Sequence, residues 1–345
     1  MGGRVCVVGN LNMDLILRGV ERLPEWGRGV TCAGHYLASS GQAGYLALGL
    51  GALGVATDVG GNVGNDEWGA RIIGDLAQAG VGVASVEVSK SLPTALCVAI
   101  ARLRDGERAF IGSMEHLVEF DLALVRRHST VLGRAELICL VGLFDLPNFA
   151  LHGAADVLAA ARSADKTTLL DCGGDPKGWP RETVRAIEEL LPMVSYLVIN
   201  SDEAKGICGE SDPWQACEAL RASSGGSVIV KRGADGSYGL DDAGRHRVPA
   251  PAITPADAVG AGDSYDAGFI WGLSRGLDFY QSMSTATAVA TIYVSRLEDR
   301  YPSPTEVLAS QQVPSVPAPV GAENGPGSIG QSQRFPTAKQ EDSQT

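Results

Sequence analysis

No stretch of this 345-residue chain approaches the length of an apolar membrane span. Positive charge is scarce, with 28 lysines and arginines against 40 acidic residues and a formal net charge of −12. No general field therefore draws nucleic acid or anionic lipid, and any anionic ligand has to be held by local chemistry. The chain has no C-x-x-C pair. Its seven cysteines (Cys6, Cys32, Cys97, Cys139, Cys172, Cys208, Cys217) are scattered through mostly apolar runs. They read as reduced thiols filling a core, and not as metal ligands or a disulfide framework. The start, MGGRVCVVGN, lacks a basic region and a long apolar run, so no signal peptide is expected and a cytoplasmic protein is. No G-x-G-x-x-G follows the first apolar strand, where GNLNMD stands instead, and a dinucleotide-dependent oxidoreductase is disfavoured. Repeats of solenoid type are also missing.

What is present is a globular α/β composition, 45% hydrophobic and 20% charged. Apolar strands are expected at 5-9, 55-60, 136-142, 167-171, 196-200 and 227-232, alternating with helical patterns at about 43-53, 66-79, 147-163, 180-191, 212-223 and 262-275. That rhythm predicts a mostly parallel, doubly wound sheet with helices on both faces. Two segments break it, within about 14-38 and 94-112, and read as antiparallel strands forming a small sheet beside the main one. Ligands of an open α/β sheet sit at the carboxyl ends of its strands, so a second sheet there acts as a lid. A domain over 1-310 is expected, followed by a proline-, glycine-, serine- and glutamine-rich tail over 311-345 that reads as disordered.

The strongest chemical signal is DAVGAGDSYDAGF at 257-269, where Gly260, Ala261 and Gly262 lead into a helix beginning near Asp263. Small residues let the backbone approach phosphate, and unpaired helix-start N–H groups with the helix dipole hold an anion without a side-chain cation. Asp263 beside that turn can accept the proton of an attacking hydroxyl. Taken alone, the same residues read as a plain helix start with Asp263 as N-cap.

The chain resembles the ribokinase-like (PfkB) carbohydrate kinases over roughly residues 4-300, with the motifs in order. The resemblance implies a three-layer α/β/α fold with a small β-sheet lid, and transfer of the ATP γ-phosphoryl group to a sugar hydroxyl. DAVGAGDSYDAGF looks like the family's C-terminal signature, which makes Asp263 the base and Gly260-Ala261-Gly262 the anion hole. NSDE at 200-203 resembles its N-x-x-E motif and assigns Asn200 and Glu203 to Mg²⁺ and phosphate; alone it reads as a helix cap. KRGADG at 231-236 resembles the nucleotide-side loop, placing Lys231, Gly233 and Gly236 near ATP, though a hairpin turn explains the basic pair equally well. In VVGNLNMDLIL, Asn12 and Asp14 match the residues that meet substrate, a carboxylate suiting two neighbouring hydroxyls. GNVGNDEWG at 61-69 also matches and is taken as structural. Asp257 matches a position that in some members helps bind a monovalent cation, so potassium activation is an expectation. A homodimer built on the lid is another.

SGQAGYLALGLGALG at 40-54 aligns with the family's glycine-rich first signature, placing Gly41, Gln42 and Tyr45 against the substrate. It departs twice: Ser40 replaces a glycine and Tyr45 replaces the asparagine that usually contacts substrate. In DCGGDPKGW, Gly173 stands where the family often has asparagine. These changes bear on substrate identity. A nucleoside kinase, with Tyr36, Tyr45 and Phe110 as a stacking lid, is the first alternative. The second is a non-catalytic sugar- or nucleotide-binding relative.

Overall fold

The computed structural model describes residues 3–102, 104 and 107–312. Among these, the strands are β1 (Val5–Val8), β2 (Asn12–Arg18), β3 (Gly34–Ser40), β4 (Thr57–Val63), β5 (Gly82–Val88), β6 (Leu96–Ala101), β7 (Arg108–Gly112), β8 (Leu137–Val141), β9 (Thr167–Asp171), β10 (Tyr196–Asn200), β11 (Ser227–Lys231), β12 (Ser237–Asp241) and β13 (Gly244–Val248). The helices are α1 (Gln42–Ala52), α2 (Glu67–Gln78), α3 (Leu122–Arg127), α4 (Ser129–Arg134), α5 (Ala150–Ser163), α6 (Arg181–Leu190), α7 (Ser201–Cys208), α8 (Pro213–Ser224), α9 (Ala261–Ser274), α10 (Phe279–Val294) and α11 (Pro304–Gln312). The last helix runs two residues into the stretch read as tail, its Gln311 Nε2 bonding Thr285 Oγ1 at 2.9 Å. Residues 313–345 lie outside the described residues.

Nine strands form one sheet in the order β13-β12-β11-β10-β9-β8-β1-β4-β5. It is parallel except for the antiparallel edge strands β12 and β13. Successive residues of β1 point to opposite faces, and each face meets its own core. Val5 and Val7 pack with Leu46, Leu50, Phe269 and Met283 on one side, and Cys6 and Val8 with Leu140, Leu158 and Leu197 on the other. Each such side chain, fully buried, contributes roughly 1.5–3 kcal/mol. Burial on both faces is why these strands read as unbroken apolar runs.

The second sheet has four strands in the order β3-β2-β6-β7. Antiparallel pairing was expected throughout, yet the central pair β2–β6 is parallel. The chain leaves the lid after β3, passes through α1, β4, α2 and β5, and re-enters in the direction of β2; a long crossover of this kind is what a parallel pair requires. Directly opposed residues share a face, so Asp14 and Cys97 lie on one side of this sheet, together with the next row of Ile16, Tyr36, Ala99 and Phe110.

Candidate active site

From β1 the chain winds outward one way through β4 and β5 and the other way through β8 to β11, so the strand order reverses between β1 and β8. A crevice at the carboxyl ends of the strands is expected at such a point. Asn10 follows β1, Asp145 follows β8, and Asp171, Asn200 and Lys231 end β9, β10 and β11. Every one of these polar side chains is therefore delivered to the same edge by strand register.

Helix α9 brings its N-terminus to this edge. Gly260 is its N-cap in the left-handed region at φ 78°, and Asp263 sits three residues further on, so Asp263 is not the cap that the plain reading of G-A-G-D required. A Cβ on Gly260 would lie 2.6 Å from Tyr293 Oη and 3.0 Å from Tyr45 Cδ1, so the turn is closed to other residues by conformation and by space. Ala261 N–H bonds Ala258 O and Ser264 N–H bonds Gly260 O. The N–H groups of Gly260, Gly262 and Asp263 have no acceptor within the helix, as at any helix start. The Asp263 carboxyl is pushed up to about 7, first by burial and then by the nearby Asp171 carboxylate. Lys231, its own N–H and the Gln42 side chain pull the other way.

Beneath the turn lies a buried ionic cluster that the sequence reading did not assemble. Lys231 Nζ bonds Asp171 Oδ2 at 2.7 Å and Asp266 Oδ1 at 3.0 Å, and lies 3.4 Å from where a Cβ on Gly262 would stand. The Lys231 ammonium thus points inward, beneath the Gly260-Gly262 turn. Burial and Asp171 push Glu203 up to about 8, and Asp266 is also raised, by burial despite Lys231. Burial is the strongest influence on Asp171 and raises it, but Lys231, the Asp266 side chain and the Gly173 N–H together hold it below its ordinary value. Asp266 Oδ2 is buried without a partner. Asp266 was findable, being one helical turn beyond Asp263.

Asn200 and Glu203 form the capping box of α7. Asn200 Oδ1 accepts the N–H of Asp202 and Glu203, while Asn200 N–H and Nδ2 donate to Glu203 Oε2 and Oε1 at 2.9 and 2.6 Å. The helix-cap reading of NSDE is thus realised, and both Glu203 oxygens are occupied. Gly233 and Gly236 bound the short turn between β11 and β12.

On the other side of Gln42 runs a hydrogen-bonded line of polar side chains. Asn10 Nδ2 donates to Asp145 Oδ2 (2.8 Å) and Asn12 Oδ1 (3.2 Å), and Asn12 Nδ2 donates to Asp14 Oδ1 (2.7 Å) and Ser40 Oγ (3.0 Å). Tyr45 Oη donates to Asp14 Oδ2 at 2.8 Å. Both departures from the family signature therefore join the Asp14 network: Ser40 braces Asn12, and Tyr45 covers one Asp14 oxygen. Asp14 is raised to about 6, by burial against the donors Ser40, Tyr45 and Asn12. Gly41, at φ 80°, presses so closely on Asn10 that a Cβ would lie 2.2 Å from its carbonyl oxygen. That approach seats Gln42, whose N–H bonds Asn10 Oδ1 (3.0 Å) and whose side chain reaches Asp263. Gln42 thus ties the Asp14 side to the Asp263 side.

Asp257 stands apart from these groups. Its Oδ1 accepts Val259 N–H (2.8 Å), its Oδ2 accepts Tyr36 Oη–H (2.6 Å), and its carbonyl is bonded by Arg300 Nη2 (2.9 Å). Tyr36 and Tyr45, offered as stacking surfaces, are both committed to carboxylates, while Phe110 remains 57% exposed.

The sequence profile described as pfkB family carbohydrate kinase matches residues 3–306. Fructoselysine 6-kinase of Shigella flexneri is 28% identical over 229 residues, covering 66% of this chain and 78% of the relative. Ribokinase of Arabidopsis thaliana, solved with ribose and ATP, superposes with a TM-score of 0.76 at 22% identity, covering 91% of this chain and 100% of that one. A ribokinase II chain of E. coli, solved with ATP and Mg²⁺, gives a TM-score of 0.76 at 19% identity, covering 90% and 99%. With the helix-start turn, its adjoining carboxylate and the lid in place, the chain belongs to the pfkB family and is a carbohydrate kinase.

Proposed function

We propose that Asp263 removes the proton of a sugar hydroxyl as that oxygen attacks the γ-phosphorus of ATP. The oxygen–phosphorus bond forms, the bond to the β-phosphate oxygen breaks, and ADP leaves. The N–H groups of Gly260, Gly262 and Asp263 receive the charge on the transferring group, with Lys231 adding positive potential from below. Asp14, Asn12 and Gln42 orient the sugar, and the lid sheet excludes water. The observation that carries this reading is a carboxylate raised to about 7 in the first turn of a glycine-led helix and linked through Gln42 to the Asp14 network.

The residues fit Mg²⁺. Among the described residues no three acidic side chains are grouped closely enough to hold the ion by themselves, so it would keep most of its waters, as Mg²⁺ does, with Glu203, raised first by burial and then by Asp171, as the nearby carboxylate. Since both Glu203 oxygens accept from Asn200, Glu203 reaches the ion through water. When bound, the ion neutralises phosphate charge. Asn200, Gly233 and Gly236 are assigned to the nucleotide side at the rim of β10 and β11.

Sugar is favoured over nucleoside because two of the three aromatic candidates are tied down, leaving Phe110 as the apolar surface on the Asp14 face of the lid. A binder without turnover is disfavoured by the presence of Asp263, the turn and Lys231 together. The test is ADP formation with Mg²⁺-ATP and a panel of pentoses, hexoses, sugar acids and nucleosides. We expect one sugar class to dominate, and Asp14→Asn to raise its KM roughly 10- to 100-fold, since a hydrogen bond to a charged group contributes about 1.5–3 kcal/mol. No ADP with any acceptor would leave only the binder, and a nucleoside hit would replace the sugar.

We assign the protein to the cytoplasm, where its seven free cysteines stay reduced. We also propose a homodimer through the outer lid face, where Leu15, Leu37, Val98 and Ile111 form one cross-strand row and Ile111 is 66% exposed. Light scattering is expected to give twice the chain mass, and Ile111→Asp to give the monomer; a monomeric wild type would remove this proposal.

A further inference from the structure

The carbonyl run that feeds the anion-binding turn is clamped by arginine. Arg300 follows α10 and is only 8% exposed. Its Nη2 donates to Asp257 O at 2.9 Å and Val259 O at 3.0 Å, and its Nη1 donates to Tyr36 Oη at 2.6 Å and lies 3.9 Å from Asp257 Oδ2. The guanidinium carbon lies 3.9 Å from the centroid of the Tyr293 ring, whose hydroxyl in turn abuts Gly260. Between the two carbonyls held by Arg300, Ala258 O accepts from Arg108 Nη1 of β7 at 2.6 Å.

Two backbone carbonyls, a carboxylate and a phenol oxygen make an oxygen-rich nest, the donor set that suits a weakly hydrated monovalent cation. Here the nest already contains a fixed positive charge that uses both carbonyls. A second cation would meet that charge at close range, where repulsion in a poorly solvated site is large. The potassium expected at Asp257 therefore does not fit the residues present.

We propose that Arg300 performs, as a fixed part of the fold, the work that a dissociable monovalent cation would do at Asp257. The peptide unit is planar and trans, so its carbonyl and N–H point in opposite directions. Holding Val259 O toward Arg300 fixes the Gly260 N–H on the opposite side, in the orientation the anion-binding turn needs. Arg300 is thus a positioning residue, and the enzyme works without potassium. Tyr36 on β3, which bonds the Asp257 carboxylate and Arg300, and Arg108 on β7, which bonds Ala258 O, also tie this run of residues to the lid.

The inference rests on the phosphate-binding role given above to the Gly260 turn, so its test has one arm that needs no turnover. In that arm, thermal melting of the wild type is compared in potassium, sodium and tetramethylammonium chloride at matched ionic strength, with no measurable difference expected. Turnover is expected to be equally indifferent. Arg300→Ala is expected to lower kcat about 10- to 100-fold with the sugar KM little changed, less than or comparable to losing one oxyanion donor. Potassium or methylguanidinium should restore part of that loss and raise the melting temperature of the variant, and Arg300→Lys should fall in between. A wild type that potassium stabilises or activates several-fold over tetramethylammonium overturns the proposal, as does an Arg300→Ala enzyme with full kcat in tetramethylammonium. Should Arg300→Ala not fold, the wild-type melts and Arg300→Lys decide. Absence of turnover in every form would sink the kinase chemistry while the melting arm still judges Arg300.

Discussion

Asp263→Asn lowers kcat by about 10²–10⁴-fold, the range expected when a positioned general base is lost. The Michaelis constant for ATP is expected to stay near the wild-type value, because the N–H groups of Gly260 and Gly262 are backbone and survive the change. The same variant should melt at a higher temperature than the wild type at pH 8. The Asp263 carboxyl sits at about 7 in the folded protein against 3.8 for the ordinary group. Its charged form is therefore less welcome in the fold than in the unfolded chain. That penalty is fully present above pH 7, shrinks as pH falls from 7 toward 3.8, and is absent below; the extra stability of the asparagine variant should fade along the same path. In the wild type, kcat/KM for the sugar should bend downward as pH falls through about 7, since only the ionised carboxylate accepts a proton. Bound Mg²⁺ moves the bend lower. A flat profile between pH 8 and 5, or an asparagine variant turning over at the wild-type rate, removes Asp263 from the role.

The layered fold was legible because parallel strands buried on both faces must be apolar throughout, and β9 (Thr167–Asp171) and β10 (Tyr196–Asn200) occupy the very runs read from the sequence. What escaped has no such signature. In β13 (Gly244–Val248), GRHRV lies at the sheet edge with one solvated side, and its alternating polar residues look like a loop. In α10 (Phe279–Val294), serine, threonine and valine, poor helix formers, fill a helix that is buried on most sides, so tertiary packing overrides propensity. Its start was nonetheless written in Asp278 and Gln281, a capping box. In the site, Asp263 and Asp14 lay in recognisable motifs. Asp171, Lys231 and Asp266 come from three distant segments, and nothing in local sequence says that the ends of β9 and β11 and the second turn of α9 converge. Arg300 was invisible for the same reason: a lone arginine in a polar connection acquires meaning only when the carbonyls of Asp257 and Val259 turn toward it.

That convergence sets the largest expected effect on stability, from Lys231→Met. Methionine fills the same length of space but removes the ammonium that bonds Asp171 and Asp266, whose side chains are 5% and 1% exposed. Breaking a buried ionic group by deleting one partner destabilises by about 3–5 kcal/mol, because the remaining charges are left without compensation. At roughly 2–4 °C per kcal/mol for a domain of comparable size, the melting temperature should fall by about 6–20 °C at pH 8. The Asp171 carboxyl is held below its ordinary value in the wild type, so the stability it contributes is present above pH 3.8 and lost as pH falls further. Without Lys231, burial raises Asp171 instead, so the deficit of the variant should be large at pH 8 and narrow as pH falls toward 4 and the stranded carboxylates take up protons. Adding Asp266→Asn to Lys231→Met removes one stranded carboxylate and should recover part of the loss, as coupled neighbours do and independent sites do not. Activity separates this cluster from ordinary packing. Lys231 lies directly under the Gly262 turn, so the double variant, though partly restored in stability, should still turn over slowly, having lost the positive potential beneath the transferring phosphoryl group. A Lys231→Met protein melting within about 2 °C of the wild type at pH 8, a shift below that of 1 kcal/mol, would mean that the three side chains are not a structural unit.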